Sequence, residues 1–296
     1  MSNTLVLWNR GSGRGDQIET VQKPFSGPRS RWLEMTRELD LSKEIEGAVD
    51  RGCTKLIAAG GDGTVNAAVN ALMRLSPARR CSLAILPLGT ANDFAGTLGV
   101  PDDLDEAVRV AQSSCCTPTD VVKIIGDGCR RYYANVAAGG NSVRVTEELS
   151  DDVKSLWGAF SYLRGAMNVL PDMRSYRITA ECDGERFSLD SWAVLVANGR
   201  TNAGRIEVAP KASVDDGLLD VILIRDGQIS DMVEMVARNL LGDFLACDQI
   251  IFRQVRRLRL DSQPPMRFTI DGEVIDEVPI EFEVVPGAIA MHRGAC

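Results

Sequence analysis

Three short segments combine glycine with hydroxyl, and two of them add a carboxylate: Asn9-Arg10-Gly11-Ser12-Gly13-Arg14-Gly15, Gly60-Gly61-Asp62-Gly63-Thr64 and Gly89-Thr90-Ala91-Asn92-Asp93. Glycine admits positive φ and lets a backbone come close to a phosphate, and a turn that feeds a helix supplies amide donors and the positive end of a dipole. Asp62 is the odd member. A bare carboxylate repels phosphates, so it is expected to act through Mg²⁺ or a hydroxyl. Thr64 is expected to cap a helix whose apolar positions Val65, Ala68, Val69 and Leu72 keep helical spacing. Taken singly, each segment is also what an ordinary strand-to-helix turn looks like.

The elements that would position these turns alternate. Residues 4 to 9 read as a strand, 16 to 31 as a polar irregular loop with Pro24 and Pro28, 41 to 51 as a helix, 55 to 59 as a strand, 64 to 75 as a helix and 82 to 87 as a strand. Such alternation implies a mostly parallel sheet, with ligands at the carboxyl ends of its strands. Three turns from three successive strands would then share one rim. Beyond about residue 118 the texture changes to short Val-, Ile- and aromatic-rich segments at 120–125, 130–136, 176–182, 186–197, 218–224, 257–260, 267–270 and 280–285. Turn signals Gly126-Asp127-Gly128, Asp183-Gly184 and Asp226-Gly227 separate them, as in an antiparallel sandwich, with helical stretches near 150–170 and 230–242.

The chain of 296 residues is long enough for two domains, expected at 1–118 and 119–296, with the last ten or so residues able to return to the first. Composition is that of an ordinary globular protein, 45% hydrophobic and 25% charged. A net charge of -8 argues against nucleic-acid binding, although Arg253, Arg256, Arg257 and Arg259 crowd one segment and Arg164, Arg174 and Arg177 another. Either run suits a solvated face or anionic lipid headgroups. No apolar run reaches the roughly 18 residues of a membrane span, and the first residues lack the pattern of a signal peptide. A cytoplasmic location is the expectation, with peripheral contact at a membrane surface. Eight cysteines lie scattered without a C-x-x-C pair and are expected to stay reduced, which leaves zinc and a disulfide framework unsupported. The single histidine, His292, excludes most Ser-His-Asp and Cys-His chemistry, so catalysis must rest on carboxylates, lysines or metal.

Two acidic turns stand out in the second half. Asp215-Asp216-Gly217-Leu218-Leu219-Asp220 opens a strand with adjacent carboxylates, which fit either a Mg²⁺ site or a solvated turn. Thr269-Ile270-Asp271-Gly272-Glu273 places two acids around a glycine, a pattern that also suits a plain hairpin.

Gly60-Gly61-Asp62-Gly63-Thr64, Pro87-Leu88-Gly89-Thr90-Ala91-Asn92-Asp93-Phe94, Asp215-Asp216-Gly217-Leu218-Leu219-Asp220 and Asp271-Gly272-Glu273 together resemble the diacylglycerol kinase catalytic-domain family, in particular its small soluble bacterial lipid kinases. The first block is shared with NAD kinases and resembles phosphofructokinases. The second is more specific to lipid kinases, and Ala209-Pro210-Lys211-Ala212 supports it. The resemblance implies an NAD-kinase-like α/β domain that binds ATP, a C-terminal β-sandwich, and transfer of the γ-phosphate to a lipid hydroxyl. It implies nucleotide contacts at Asn9, Gly11, Ser12, Gly13, Gly61, Asp62, Gly63, Thr64, Val65, Asn66, Ala67, Thr90 and Asn92, with Thr36 as a further candidate. Asp62 and Asp93 would join a water and Mg²⁺ network. Glu273, or Asp271 two residues away, would be the proton acceptor. A structural Mg²⁺ would sit on the Asp216 side chain with backbone oxygens of Ser213 and Leu218.

Arg10, Gly11 and Ala67 depart from the family pattern, which often has proline, a small residue and glutamate there. The apolar stretch 156–170, with Trp157, Phe160 and Arg164, would serve a core, a lipid channel or a membrane contact. The sandwich edges leave room for a homodimer. Two other readings stay open: a NAD-kinase-like enzyme with a soluble acceptor, and a non-catalytic nucleotide-binding regulator.

Overall fold

The structure is a computed structural model that describes residues 3–126, 130–143, 173–202, 204, 206–228, 231, 234–235, 238, 242–270, 273–275 and 279–294. The chain divides into two units, residues 1–121 with 286–296, and residues 122–285.

The first unit is built on β1 (Asn3–Trp8), β2 (Ser30–Glu34), β3 (Cys53–Gly60) and β4 (Ser82–Pro87), all parallel, in the order β4-β3-β1-β2. Consecutive residues Leu5–Leu7, Leu56–Gly60 and Leu83–Pro87 are all buried, the signature of strands covered on both faces. The helices are α1 (Ile18–Gln22), α2 (Leu41–Asp50), α3 (Asp62–Met73), α4 (Asp93–Thr97) and α5 (Leu104–Gln112). From β1 the chain moves to β2 on one side and then to β3 on the other, so the connections diverge at the carboxyl ends of β1 and β3. Ligands of open α/β sheets bind in such a crevice.

Local chemistry explains the helices. Asp40 caps α2 by accepting from Lys43 N at 3.2 Å, and Asp103 caps α5 by accepting from Glu106 N at 2.9 Å. Leu104, Ala107, Val108 and Ala111 form the buried stripe of α5. Its C-terminal carbonyls are met by Lys55, whose Nζ donates to Ala111 O at 2.6 Å and Ser113 O at 3.0 Å. The polar stretch 16–31 is more ordered than its composition suggests: it contains α1 and short 3-10 turns and leads into β2. That strand is an edge, half-exposed along its length, which is why no apolar alternation announces it.

The second unit carries β6 (Arg130–Tyr133), β7 (Val136–Gly140), β8 (Tyr176–Cys182), β9 (Glu185–Ala197), β10 (Thr201–Asn202), β11 (Ile206–Glu207), β12 (Leu219–Arg225), β13 (Ile250–Val255), β14 (Arg257–Gln263), β15 (Phe268–Ile270) and β16 (Glu273–Ile275). Two further strands, β5 (Cys116–Ile125) and β17 (Ile280–His292), run through the boundary between units. The order β16-β15-β7-β9-β8-β14-β17 is antiparallel throughout, with β12 and β13 joined to β9. Val194, Val196, Val221 and Leu223 enter one core with Tyr133, Phe268 and Phe282, while Leu195, Ala197 and Ile222 enter another. Phe268 and Phe282 meet tilted at 56° with ring centroids 5.5 Å apart, and Tyr133 meets Phe282 edge-on at 6.3 Å.

Several expected boundaries move. The strand expected at 130–136 is two strands broken at Ala134-Asn135, because Asn135 O is taken by Asn198 N and Gly199 N. The strand expected at 280–285 continues to His292, with Gly287 at φ +55. Helical structure near 230–242 is seen at Asp231, Glu234, Met235 and Arg238, whereas the stretch 150–170, with Trp157, Phe160 and Arg164, lies outside the described residues. The cysteines are not all reduced: Cys115 is disulfide-bonded, while Cys53, Cys81, Cys116, Cys182 and Cys247 are free thiols. No described helix is long and apolar enough to cross a membrane.

Candidate functional site

The three glycine turns meet at the carboxyl ends of β1, β3 and β4. Leu88 N donates to Gly60 O at 3.1 Å, and Arg14 N donates to Leu88 O at 2.8 Å, so the third turn is tied to the other two. The approach leaves no room for side chains. A Cβ on Gly89 would overlap the Gly61 backbone, and one on Gly13 would come within 2.6 Å of Thr90 Oγ1. Backbone proximity therefore requires glycine at position 89, while the Thr90 side chain crowds position 13.

In the first turn Asn9 Oδ1 accepts from Gly11 N at 2.9 Å and Asn9 O accepts from Ser12 N at 3.1 Å. Thr36 is exposed just past β2, beside β1, where Met35 N donates to Trp8 O at 2.8 Å. In the second turn Gly61 is extended and serves as N-cap, so α3 begins at Asp62 and the expected cap at Thr64 is corrected. Thr64 lies one turn inside the helix, with its N–H on Gly61 O at 2.9 Å. The first amides of the helix, those of Asp62 and Gly63, have no intrahelical acceptor. Gly63 is exposed with open space at its Cα. Val65 sends its side chain into the core, so only its backbone can serve a ligand. Asn66 accepts from Asn70 Nδ2, and Ala67 is half-buried.

Asp62 has a structural partner that its sequence context does not reveal. Its carboxylate accepts from Asp93 N at 3.2 Å and from Phe94 N at 3.0 Å, which caps the short helix α4 and joins the second turn to the third. Asn92 is the other organiser. It adopts φ +53, and its side chain clasps Gly89, with Oδ1 accepting from Gly89 N at 2.9 Å and Nδ2 donating to Gly89 O at 2.8 Å. Asp93 is 5% exposed and Thr90 is exposed.

Two hydroxyl oxygens in this rim, Ser12 Oγ and Thr64 Oγ1, are buried without a hydrogen-bond partner. Unsatisfied buried hydroxyls are costly, and their placement beside glycine backbones and a helix N-terminus suits an oxyanion ligand that accepts from them. Arg14 and Leu88 tie the turns together through backbone atoms, a role that their side chains do not signal.

The remaining candidates belong to the second unit. Leu218 N donates to Asp216 Oδ1 at 2.9 Å and Ser213 Oγ to Asp215 Oδ1 at 2.6 Å, a folded turn around Gly217 at φ +71. Asp216 is exposed. Asp220 on β12 is buried, accepts from Gln254 Nε2 at 3.0 Å, and is pushed up to about 6 by burial above all, with Asp216 adding repulsion. No cluster of three His, Cys, Asp or Glu capable of holding a metal occurs among the described residues. One carboxylate with carbonyl oxygens is the hard donor set that Mg²⁺ takes. Glu273 opens β16 opposite Ile270, and Asp271 lies outside the described residues. In the arginine run near 253–259, Arg257 pairs with Glu281 at 2.7 Å, and Asp183 accepts from the backbone N–H groups of Arg256 and Arg257.

The fold and this rim define a class: an α/β unit with three glycine turns on one rim, continued by an antiparallel β unit. The model of the "Diacylglycerol kinase catalytic domain" matches residues 3–124, and that of the "YegS C-terminal NAD kinase beta sandwich-like domain" matches residues 134–293. The protein named "Diacylglycerol kinase" from Bacillus subtilis (strain 168) is 30% identical over 288 residues, covering 95% of this chain and 93% of that one. "Probable lipid kinase YegS-like" from Stenotrophomonas maltophilia (strain K279a) is 31% identical over 263 residues, covering 86% of this chain and 84% of that one. A crystal structure from Bacillus anthracis str. Sterne superposes with a TM-score of 0.84 at 24% identity, over 99% of this chain and 95% of that one, a likeness of fold. The chain belongs to the diacylglycerol kinase and YegS-like lipid kinase family.

Proposed function

We propose that the chain is an ATP- and Mg²⁺-dependent lipid kinase that transfers the γ-phosphate to the hydroxyl of diacylglycerol or a related lipid alcohol. The observation that carries this reading is the pair of orphaned hydroxyls, Ser12 and Thr64, inside a rim of glycine backbones. Ser12 Oγ, Thr64 Oγ1 and the amides of Asp62 and Gly63 would donate to phosphate oxygens. Asn9, Gly11, Gly13, Thr36, Thr90 and Asn92 would complete the nucleotide site. Mg²⁺, when bound, supplies charge neutralisation for the phosphates. Asp93 would hold water or metal near them, and Asp62 would keep the second and third turns in register. Ser213, Asp216 and Leu218 would hold a second, structural Mg²⁺.

Phosphoryl transfer asks little covalent chemistry of a protein beyond alignment, charge neutralisation and a base for the attacking hydroxyl. Glu273 or Asp271 would accept that proton. A carboxylate is a weak base toward an alcohol, so the proton leaves late in the transition state or the base is raised by its surroundings. The test is substitution: Glu273→Gln or Asp271→Asn should lower kcat by at least about 100-fold with little change in KM for ATP, the size typical of a lost general base. Unchanged turnover in both variants would sink the assignment. Work at a membrane surface, in the cytoplasm and as a homodimer belongs to the same proposal.

A further inference from the structure

The amino ends of β3 and β4 lie at the opposite end of these strands from the glycine turns, and they carry a second chemically distinctive pair. The strands are parallel with Lys55 opposite Ser82, so Cys53, which opens β3, and Cys81, one residue before β4, lie at the same end of neighbouring strands. Their side chains line one cavity and lie close enough to influence each other's ionisation, while Cys53 Sγ donates to Lys55 O at 3.3 Å. Both are free thiols, Cys81 buried and Cys53 partly exposed. A cavity of about 500 Å³ opens beside them, lined in part by Gly52, Thr54, Arg79, Arg80 and both cysteines, and it gives a small reagent access.

We propose that Cys53 and Cys81 form a redox modification site in which Cys53 is the attacking thiol, Cys81 the resolving thiol, and a small peroxide the oxidant. The Cys53 sulfur attacks one peroxide oxygen and the O–O bond breaks, giving a sulfenic acid and one water. The Cys81 sulfur then attacks the Cys53 sulfur, the S–O bond breaks, and a disulfide forms with release of a second water. Two thiols are oxidised and one peroxide becomes two waters.

The division of roles follows from surroundings. Cys81 beside it holds the Cys53 thiol below the ordinary range, helped by the Arg51 cation, against burial and against the hydrogen bond that Cys53 Sγ donates to Lys55 O. The same neighbour and burial push Cys81 up. The other charged groups facing the pair are Asp50, Arg79 and Arg80 on the cavity wall, with Arg79 paired to Glu46 and Asp50. A thiol so placed reacts as its thiolate, and the partner with the higher value waits to resolve it.

The experiment uses the full chain and stoichiometric hydrogen peroxide, followed by digestion and mass spectrometry without reductant. The expected product is a Gly52–Lys55 peptide linked to the Cys81 peptide, with loss of two hydrogens and reversal by dithiothreitol. Iodoacetamide at pH 7 should modify Cys53 about five-fold faster in the native chain than in Cys81→Ala, an estimate from the thiolate fraction less the fall in nucleophilicity. Oxidation that stops at a sulfinate on Cys53, spares both residues, or links two chains would overturn the proposal. So would equal alkylation rates. The linked peptide is read from the unsubstituted protein, so failure of a variant to fold leaves the test intact. This site stands independently of the proposed kinase chemistry.

Discussion

At the scale of single residues, the rim separates groups with partners inside the protein from hydroxyls that have none. Ser12 Oγ and Thr64 Oγ1 make no internal hydrogen bond, so deleting them removes nothing from the folded state. Ser12→Ala and Thr64→Val are expected to hold or raise the melting temperature, because each removes an unmet buried hydroxyl, while weakening ATP binding about ten-fold each, roughly one lost hydrogen bond to a charged ligand. Calorimetric titration with ATP alongside thermal melting reads both. Asp62 behaves in the opposite way, because its carboxylate caps α4. Asp62→Ala should cost about 1–2 kcal/mol of stability, measured by urea unfolding, besides its effect on turnover. An effect on turnover with no loss of stability would assign Asp62 to the phosphates alone.

At the scale of elements, close packing of turns is what makes the site. Gly89 has the Gly61 backbone where a Cβ would go, so Gly89→Ala must push two strands apart or distort a turn. A cost of about 1–3 kcal/mol and loss of nucleotide binding are expected, against near-neutral behaviour at Gly63, where the space is open. Denaturant titration and nucleotide binding for the two alanine variants check this contrast. The same elements show what the sequence discloses. The apolar runs of β3 and β4 and the glycines that follow them are legible because a buried parallel strand must be apolar and closely approaching turns must be bare. The α5 helix has signals of its own in Asp103, Glu106 and the stripe Leu104, Ala107, Val108, Ala111. The edge strand β2 and the true start of α3 at Asp62 depend on neighbours: Trp32 Nε1 donates to Phe25 O at 3.0 Å, and Gly61 caps through backbone geometry. The capping role of Asp62 was hidden for the same reason, since its partners lie 31 and 32 residues away in the chain.

At the scale of the whole molecule, the pH dependence of stability carries two opposed contributions. His292 is 1% exposed, close to Ser82 Oγ and Ser113 Oγ, and burial together with the nearby Lys55 cation lowers it from 6.5 to about 4. The unfolded chain therefore binds a proton that the folded chain refuses between these values. Its contribution is fully present above pH 6.5 and is lost as pH falls through 4, worth up to about 3 kcal/mol at 1.36 kcal/mol per pH unit. Asp220, raised to about 6, acts with the other sign: its share is greatest at low pH and is lost as pH rises through 6. Urea unfolding from pH 4 to 8 should show His292→Gln losing part of the acid-side slope and Asp220→Asn losing part of the opposing one. Family membership stands on the match along both units, whereas the acceptor lipid and the nucleotide are the chemistry proposed for this chain. The most direct test is transfer of labelled γ-phosphate from ATP to a panel of lipid alcohols in mixed micelles, with and without Mg²⁺, with NAD and Asp62→Ala as controls. Label in one lipid class that requires Mg²⁺ and disappears with Asp62→Ala is the expected result; label in NAD, or ATP binding with no label in any lipid, would contradict the account.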